Sequence, residues 1–551
     1  MHRAWHFTNA LFGFSFFFCG ALLISGCTES LQGASNSSAS TTQQPITTSH
    51  QFSTAPDISG PGNWEVADVV IGQDEGTYLS GEFFPGNDNG ISELDFGCSQ
   101  PLENPSSSLT DVFLVKFDEN GICQWQKSWG SDETNSDQDQ LDYSANDLEL
   151  TPQNNVVLAA EKLLQPQQPT NYKVSTAGWL REIDQTGTQE WMHQFTHVLS
   201  TSQITSNTLK AVDIVDNMLV ATGEYTNSFS FARNNLNNPR QLMVLTWNPL
   251  SSGSRVENWG VSFGGQNGSG QVTDIDAHND TERITVVGNY TDSGAGHTHL
   301  NGVSANAATN TSFFLQSMDF NGSQTDAYSS PGSPADPDDF ESVSQVEFAP
   351  DGELYIAGQF YGHLNPSGHL APNYPGSPSL ETNGGNENTD YFIVRFTSAD
   401  QLGSDDSWVN FSDFYDSNTA SNSNSPNFIH EEIRDMQAFA DAIAITGSVS
   451  DPRDTGTPQF YGFAHVHDFS VYYNKPGPLD PVDYIQESGT SNTEYDIAYY
   501  NSFGSGVNFF GSAVAATTER LVVGGANADT NYSLGGSTLP GGYGFLVSYD
   551  Y

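Results

Sequence analysis

From about Trp64 to Tyr551 the apolar positions come in short runs, many of them alternating with polar ones, separated by Gly, Asn, Asp and Pro. That pattern predicts strands joined by turns. Two sequence patterns recur along it. The first is a short apolar strand ending in a small residue, usually Gly, and then a polar or small residue. It occurs at Tyr78–Glu82, Val157–Glu161, Val220–Glu224, Val286–Asn289, Tyr355–Gln359, Ile445–Ser448 and Val522–Ala526. The second is an aromatic-rich strand that usually ends in Asp, at Asp111–Asp118, Gly178–Asp184, Leu242–Asn248, Phe313–Asp319, Asp390–Phe396, Tyr461–Asp468 and Tyr543–Asp550. Each pattern is present seven times.

A strand before the Gly strand, as in Val343 to Phe348, and a strand after the aromatic one complete a unit of four. The fourth often carries Trp: Trp125, Trp191, Trp259 and Trp408. Seven repeats of four short antiparallel strands predict an all-β fold, a seven-bladed β-propeller of four-stranded blades over residues 46–551. The chain ends inside the seventh aromatic strand, which leaves the last blade without its outermost strand and with an open edge. The stretch Ile46 to Ser53 is expected to supply that strand and close the ring; the other reading is an open ring with that stretch unattached.

Charge narrows the partners. With 66 acidic residues against 16 Lys plus Arg the formal charge is −50, which excludes nucleic acid, whose phosphates would be repelled. An anionic lipid surface is excluded for the same reason. Aromatics at 12% are too many for a disordered chain.

The pattern Asp-x-Phe-x-x-Lys-x-Asp-x-x-Gly, as at Asp111 to Gly121, followed by Trp125 and a strand ending in Gly, resembles the bacterial β-propeller (SBBP-like) repeat family, whose members are mostly secreted and of undefined function. The resemblance spans about Trp64 to Tyr551 and departs from the pattern between Asp468 and Phe510. At the N-terminus an apolar stretch from Ala10 to Ile24 ends in Leu23-Ile24-Ser25-Gly26-Cys27, which resembles the lipobox of bacterial lipoproteins. That resemblance implies a signal peptide over residues 1–26, lipidation of Cys27, membrane attachment through the lipid, and, with Thr28 after the cysteine, sorting to the bacterial outer membrane. Residues 27–45, rich in Ser, Thr, Gln and Asn, read as a flexible tether. Cys19 then leaves with the signal, Cys27 is lipidated, and Cys98 and Cys123 are expected to form a disulfide in an oxidising compartment. They lie at opposite ends of the first blade, so the bridge requires the intervening loop to fold back along the blade's outside.

In such blades the turns between strands one and two and between three and four share one face, and the remaining connections share the other. The second set reads as long throughout, which gathers all long loops on one face, the place where binding residues commonly sit. Acidic residues concentrate there. Asp132, Asp137, Asp139 and Asp142 fall in one such loop, and Asp336, Asp338, Asp339 and Glu341 in another. The first group is a candidate site for a structural Ca²⁺, although the same charges serve equally as solubilising surface, and no other cofactor is expected. His193, His197, His297, His299, His465 and His467 are scattered and give weak grounds for metal chemistry. No Gly-x-Ser-x-Gly elbow, phosphate loop or His-Glu-x-x-His stretch is present. The expected function is a monomeric lipid-anchored module that binds a protein or glycan on its long-loop face. The alternatives are an enzyme acting on extracellular polysaccharide through a carboxyl pair facing a central channel, and a structural subunit of an envelope complex.

Overall fold

The computed structural model describes residues 57–59, 63–84, 92–104, 109–130, 140–165, 175–195, 206–226, 228–232, 234–237, 241–249, 254–264, 269–291, 311–329, 340–361, 363–364, 380–381, 389–396, 398–399, 402, 409–412, 430–439, 442–451, 459–468, 497–503, 509–518, 520–527, 532–534, 537–539 and 543–550. Cys27, the tether and the stretch Ile46 to Ser53 lie outside the described residues.

The described chain is all-β and antiparallel almost throughout. Sheet one comprises Asn63–Ile71, Thr77–Phe84, Asp111–Phe117 and Cys123–Trp129; sheet two, Gln140–Leu150, Val156–Gln165, Ser175–Ile183 and Gln189–Gln194. Sheet three comprises Asn207–Val215, Met218–Tyr225, Gln241–Pro249 and Arg255–Phe263; sheet four, Ser269–His278, Arg283–Thr291, Thr311–Asp319 and Gln324–Ser329. Sheet five comprises Phe340–Phe348, Leu354–Tyr361, Thr389–Phe396 and Val409–Ser412; sheet six, His430–Phe439, Ala442–Asp451, Gln459–Asp468 and Ile497–Phe503. Sheet seven has three described strands, Phe509–Ala516, Arg520–Asn527 and Tyr543–Asp550. Single parallel bridges, Ala177 to Asn207 and Thr389 to His430, link sheet two to three and sheet five to six.

The two recurring patterns are cross-strand partners. Gly81 lies opposite Phe113, Gly288 opposite Phe314 and Gly358 opposite Phe392. Each of these glycines also lies against a backbone carbonyl of the leading strand, of Glu65, Gln271 and Ser342 respectively, so a Cβ there would collide with both carbonyl and ring. The carbonyl comes this close because every leading strand carries a bulge, at Ala67, Asn146, Lys210, Thr273, Ser344, Arg434 and Ser512. Glycine thus makes room for the bulge on one side and the aromatic ring on the other.

The Asp that ends the aromatic strand builds the next turn. Asp118 Oδ1 accepts the N–H groups of Asn120 and Ile122, and Asp184 and Asp319 repeat the arrangement, with Gly121, Gly187 and Gly322 at positive φ. Two fourth-strand tryptophans, Trp125 and Trp259, then cap the turn of the next sheet. Trp125 Nε1 donates to Gln185 O (2.9 Å) and Trp259 Nε1 to Phe320 O (2.7 Å).

Buried apolar residues form seven clusters, each shared by two sheets: one with two, two with three, three with four, four with five, five with six, six with seven, and seven with one. In the last of these, Trp64, Val66 and Phe113 of sheet one pack with Ala513, Ala515 and Val522 of sheet seven. Arg520 of sheet seven adds hydrogen bonds to Glu75 O (2.9 Å) and Glu119 O (3.1 Å).

Two expectations about the connections need correction. The loops of the second set are not long throughout: positions 264–268, 452–458 and 504–508 are short links. Sheet six instead has 28 residues, 469–496, between its third and fourth strands, a connection of the first set. The connection between second and third strands also carries small hairpins in sheets one, three, five and seven: Ser92–Asp95 with Leu102–Asn104, Ser228–Phe231 with Asn234–Asn237, His363–Leu364 with Leu380–Glu381, and Tyr532–Leu534 with Ser537–Leu539. Asp57–Ser59 pairs with the first of these hairpins.

Candidate functional site: a carboxyl ladder along the leading strands

The first strand of each sheet is an edge strand, so half of its N–H groups have no ladder partner within its own sheet. Acidic side chains supply the acceptors. At the position after the bulge stand Asp68, Asp147, Ala211, Asp274, Gln345, Asp435 and Ala513, and two residues further on stand Val70, Glu149, Asp213, Asp276, Glu347, Gln437 and Ala515. From one sheet to the next, Leu148 N–H donates to Asp68 Oδ2 (2.7 Å) and Val212 N–H to Asp147 Oδ2 (2.6 Å). The series continues with Val346 N–H to Asp274 Oδ2 (2.8 Å), Phe348 N–H to Asp276, Ala438 N–H to Glu347 (3.3 Å), and Val514 N–H to Asp435 Oδ2 (2.6 Å). Most of these carboxyls use the other oxygen for the N–H of their own next residue, as Val69 does for Asp68 (2.7 Å) and Ile275 for Asp274 (2.8 Å).

A second row runs through the polar residue that follows the recurring Gly. Glu82 accepts the hydroxyl of Ser144 and the N–H of Ala145 (3.1 Å), and Asn289 both accepts from Val343 N–H (2.8 Å) and donates to Val343 O (2.9 Å). The polar position of the first sequence pattern is therefore a clamp onto the bulge of the following sheet. At the junction of sheet seven with sheet one, Ala513 and Ala515 carry no carboxyl. There Val66 packs on Gly524 and Trp64 on Gly544.

Enclosure by protein dominates the electrostatics. Burial pushes Asp68 and Asp213 up to about 6 and Asp274 up to about 7, against the hydrogen bonds that favour their charged forms. Burial first, and then the charge of a neighbouring carboxylate, hold Asp147, Glu149, Asp276, Glu347 and Asp435 well above the usual carboxylate range. Burial also raises Glu82 to about 7.

A separate cavity of about 640 Å³ lies between sheets two and three, lined by His193, Trp247, Glu257, Asn258 and their neighbours. Arg255 on its wall is fixed by Glu182 (2.7 Å) and Asn217 O (2.7 Å). His193 stacks on Trp191, with ring centroids 6.0 Å apart, and burial lowers its pKa against the opposing effect of Glu257.

Of the residues singled out from sequence, Cys98 and Cys123 meet as a disulfide with Cα atoms 5.2 Å apart. The intervening loop folds back over the outside of sheet one, with Leu94, Phe96 and Leu102 in the core there and Phe96 N–H donating to Gln126 (3.3 Å). Reduction is expected to lower the thermal midpoint. The chain-entropy model gives about 3 kcal/mol for a loop of this length, and calorimetry with and without reductant measures it. Asp142 accepts Thr110 N–H (2.8 Å), whereas Asp132, Asp137 and Asp139 lie outside the described residues, as do Asp336, Asp338, Asp339, His197, His297, His299 and Trp408. Glu341 is buried in sheet five. His465 and His467 fall on the third strand of sheet six, in register with Tyr500 and Ile497. Among the described residues no group of three or more His, Cys, Asp or Glu is placed to hold a metal ion.

The ladder escapes a reading of the sequence that looks for acids in loops. Its signal is Ala67-Asp68-Val69, Asn146-Asp147-Leu148, Thr273-Asp274-Ile275 and Arg434-Asp435-Met436, an acid placed before an apolar residue in strand after strand.

No family model matches the chain, and no curated protein matches it. Among solved structures it is similar to the Hadza microbial sialidase Hz136, at 11% identity and a TM-score of 0.34 over 82% of this chain and 75% of that one. It is also similar to the intramolecular trans-sialidase from Ruminococcus gnavus in complex with oseltamivir carboxylate, at 9% identity and a TM-score of 0.31 over 91% of this chain and 95% of that one. Likenesses this distant carry no argument about activity.

Proposed function

We propose that the protein is a lipid-anchored, closed seven-bladed β-propeller, with Ile46 to Ser53 as the outer strand of its last blade, that binds a protein or glycan through its long loops. The observation that carries the non-catalytic reading is the commitment of the carboxyl ladder. Asp68 and Asp147 each accept backbone N–H groups on both oxygens, so a proton-transfer role would compete with the bonds that join the blades. We take as the binding face the end of the sheets from which the long connections at 85–110, 130–139, 292–310, 330–339, 362–388 and 413–429 depart.

The test is a glycan and protein pull-down with the soluble Cys27→Ser protein, repeated after positions 292–310 are replaced by a short turn. Capture that is lost with the loop while the thermal midpoint holds supports the reading; capture that survives replacement of each long loop contradicts it. The same Cys27→Ser change is expected to release the protein from the membrane fraction, and retention after a carbonate wash would refute the lipid anchor.

A polysaccharide-degrading enzyme is the second reading. Release of reducing ends from a neutral polysaccharide, abolished by Asp68→Asn, would establish that reading.

A further inference from the structure

The cavity between sheets two and three takes no part in the carboxyl ladder. At about 640 Å³ it falls within the ~300–1,000 Å³ usual for small-molecule sites. Its walls come from the outer strands Gln189–Gln194 and Arg255–Phe263, from Trp247, and from Ala232 in the turn of sheet three's hairpin.

Its polar side chains are held in place and keep bonding capacity in reserve. Arg255 is buried, with Nε on Glu182 Oε2 (2.7 Å) and one terminal nitrogen on Asn217 O (2.7 Å), and its other N–H groups meet no acceptor among the described residues. Glu257 takes Ala232 N–H on Oε2 (2.7 Å), which leaves Oε1. His193 is fixed by rings, stacked on Trp191 and edge-on to Phe195 (4.8 Å) and Trp247 (5.4 Å), and neither of its nitrogens has a hydrogen-bond partner among the described residues. Burial lowers its pKa, so at neutral pH the imidazole is uncharged and offers one donor and one acceptor. Asn258 adds an amide that reaches Met218 Sδ at 4.0 Å.

Donors thus stand beside acceptors, which suits hydroxyl groups, since each can donate one hydrogen bond and accept others. Charge argues against ionic ligands. Glu182 cancels Arg255, so Glu257 leaves the wall negative and unfavourable to an anion. The one carboxylate oxygen left over falls far short of the six to eight oxygens that Ca²⁺ takes.

We propose that this cavity is a saccharide-binding site, separate from the long-loop face, that takes a short uncharged sugar through Arg255, His193, Glu257 and Asn258. Glu257 accepts from a sugar hydroxyl, Arg255 donates to one, and His193 and Asn258 can do either.

The experiment is saturation-transfer NMR and calorimetry on the full-length Cys27→Ser protein with glucose, galactose, mannose, cellobiose and lactose, and with glucuronate and N-acetylneuraminate as anionic probes. At least one neutral sugar is expected to bind and the two anions to bind at least tenfold more weakly. His193→Phe keeps an aromatic ring and removes both nitrogens, and Glu257→Ala alters an exposed position; each is expected to weaken the neutral sugar about tenfold, the loss of one good hydrogen bond, with the thermal midpoint unchanged. If His193→Phe lowers the midpoint, Glu257→Ala alone decides. Binding is expected to survive replacement of positions 292–310, which separates this site from the long-loop face. Failure of all five neutral sugars to bind overturns the proposal, as do preference for an anion, full affinity in the Glu257→Ala protein, or loss of binding with the replaced loop.

Discussion

In the Trp64→Ala protein the free energy of unfolding is expected to fall by about 3–5 kcal/mol, the range for removing a fully buried large aromatic. Trp64 is 1% exposed and stands where the first sheet meets the last. Its ring meets Phe96 and Phe113 edge-on, with centroids 5.5 and 5.9 Å away, and closes over Gly544 on the third strand of sheet seven. Among the described residues this junction shows no carboxyl-to-backbone bond, so apolar packing and Arg520 carry it. The buried Trp64 Nε1 has no acceptor among the described residues, so Trp64→Phe is expected to recover much of the loss. Denaturant titration of the two variants measures the difference. If Trp64→Ala changes stability by less than about 1 kcal/mol, sheets one and seven are not packed through this residue.

Gly288→Ala is expected to destabilise by about 2–3 kcal/mol, because its Cβ would meet the carbonyl oxygen of Gln271 and the ring of Phe314 at once. Trimming the ring, as in Gly288→Ala/Phe314→Leu, relieves only the second collision, so the double variant remains less stable than Phe314→Leu alone. Gly97 makes the contrast. It has positive φ, and a methyl group added there would have nothing within 4 Å of it, so Gly97→Ala is expected to cost only about 1 kcal/mol. Thermal midpoints of the Gly288 and Gly97 variants, ranked in this order, check the account of the recurring glycine.

The second and third strands of each unit were legible in the sequence because their constraints are local. Gly288 opposite Phe314 and the Asp319 to Gly322 turn each need particular residue types at fixed spacing. The Trp positions of the fourth strand were legible for the same reason, although their task of capping the next sheet's turn was not. The leading strands were harder to read. Their acids look like ordinary exposed positions until the next sheet is in place to present Leu148 or Val346 N–H to them. Strand alternation also gives no warning that a connection will form its own hairpin, as Ser228–Phe231 does with Asn234–Asn237, or that in sheet six the long connection will fall between the third and fourth strands. The candidate site is thus legible as chemistry and hidden as location, since which N–H meets which carboxyl depends on contacts between sheets far apart in the chain, such as Asp274 with Val346, 72 positions on.

Closure of the ring is tested most directly by joining its two ends. With cysteines replacing Glu119 and Arg520, whose backbone oxygen and guanidinium meet at 3.1 Å in the native protein, a short bis-maleimide should link sheet one to sheet seven within a single chain. Closure predicts one cross-linked peptide joining the two positions, formed at protein concentrations too low for contact between chains. Cysteines that each react singly, with no peptide joining them, would contradict it.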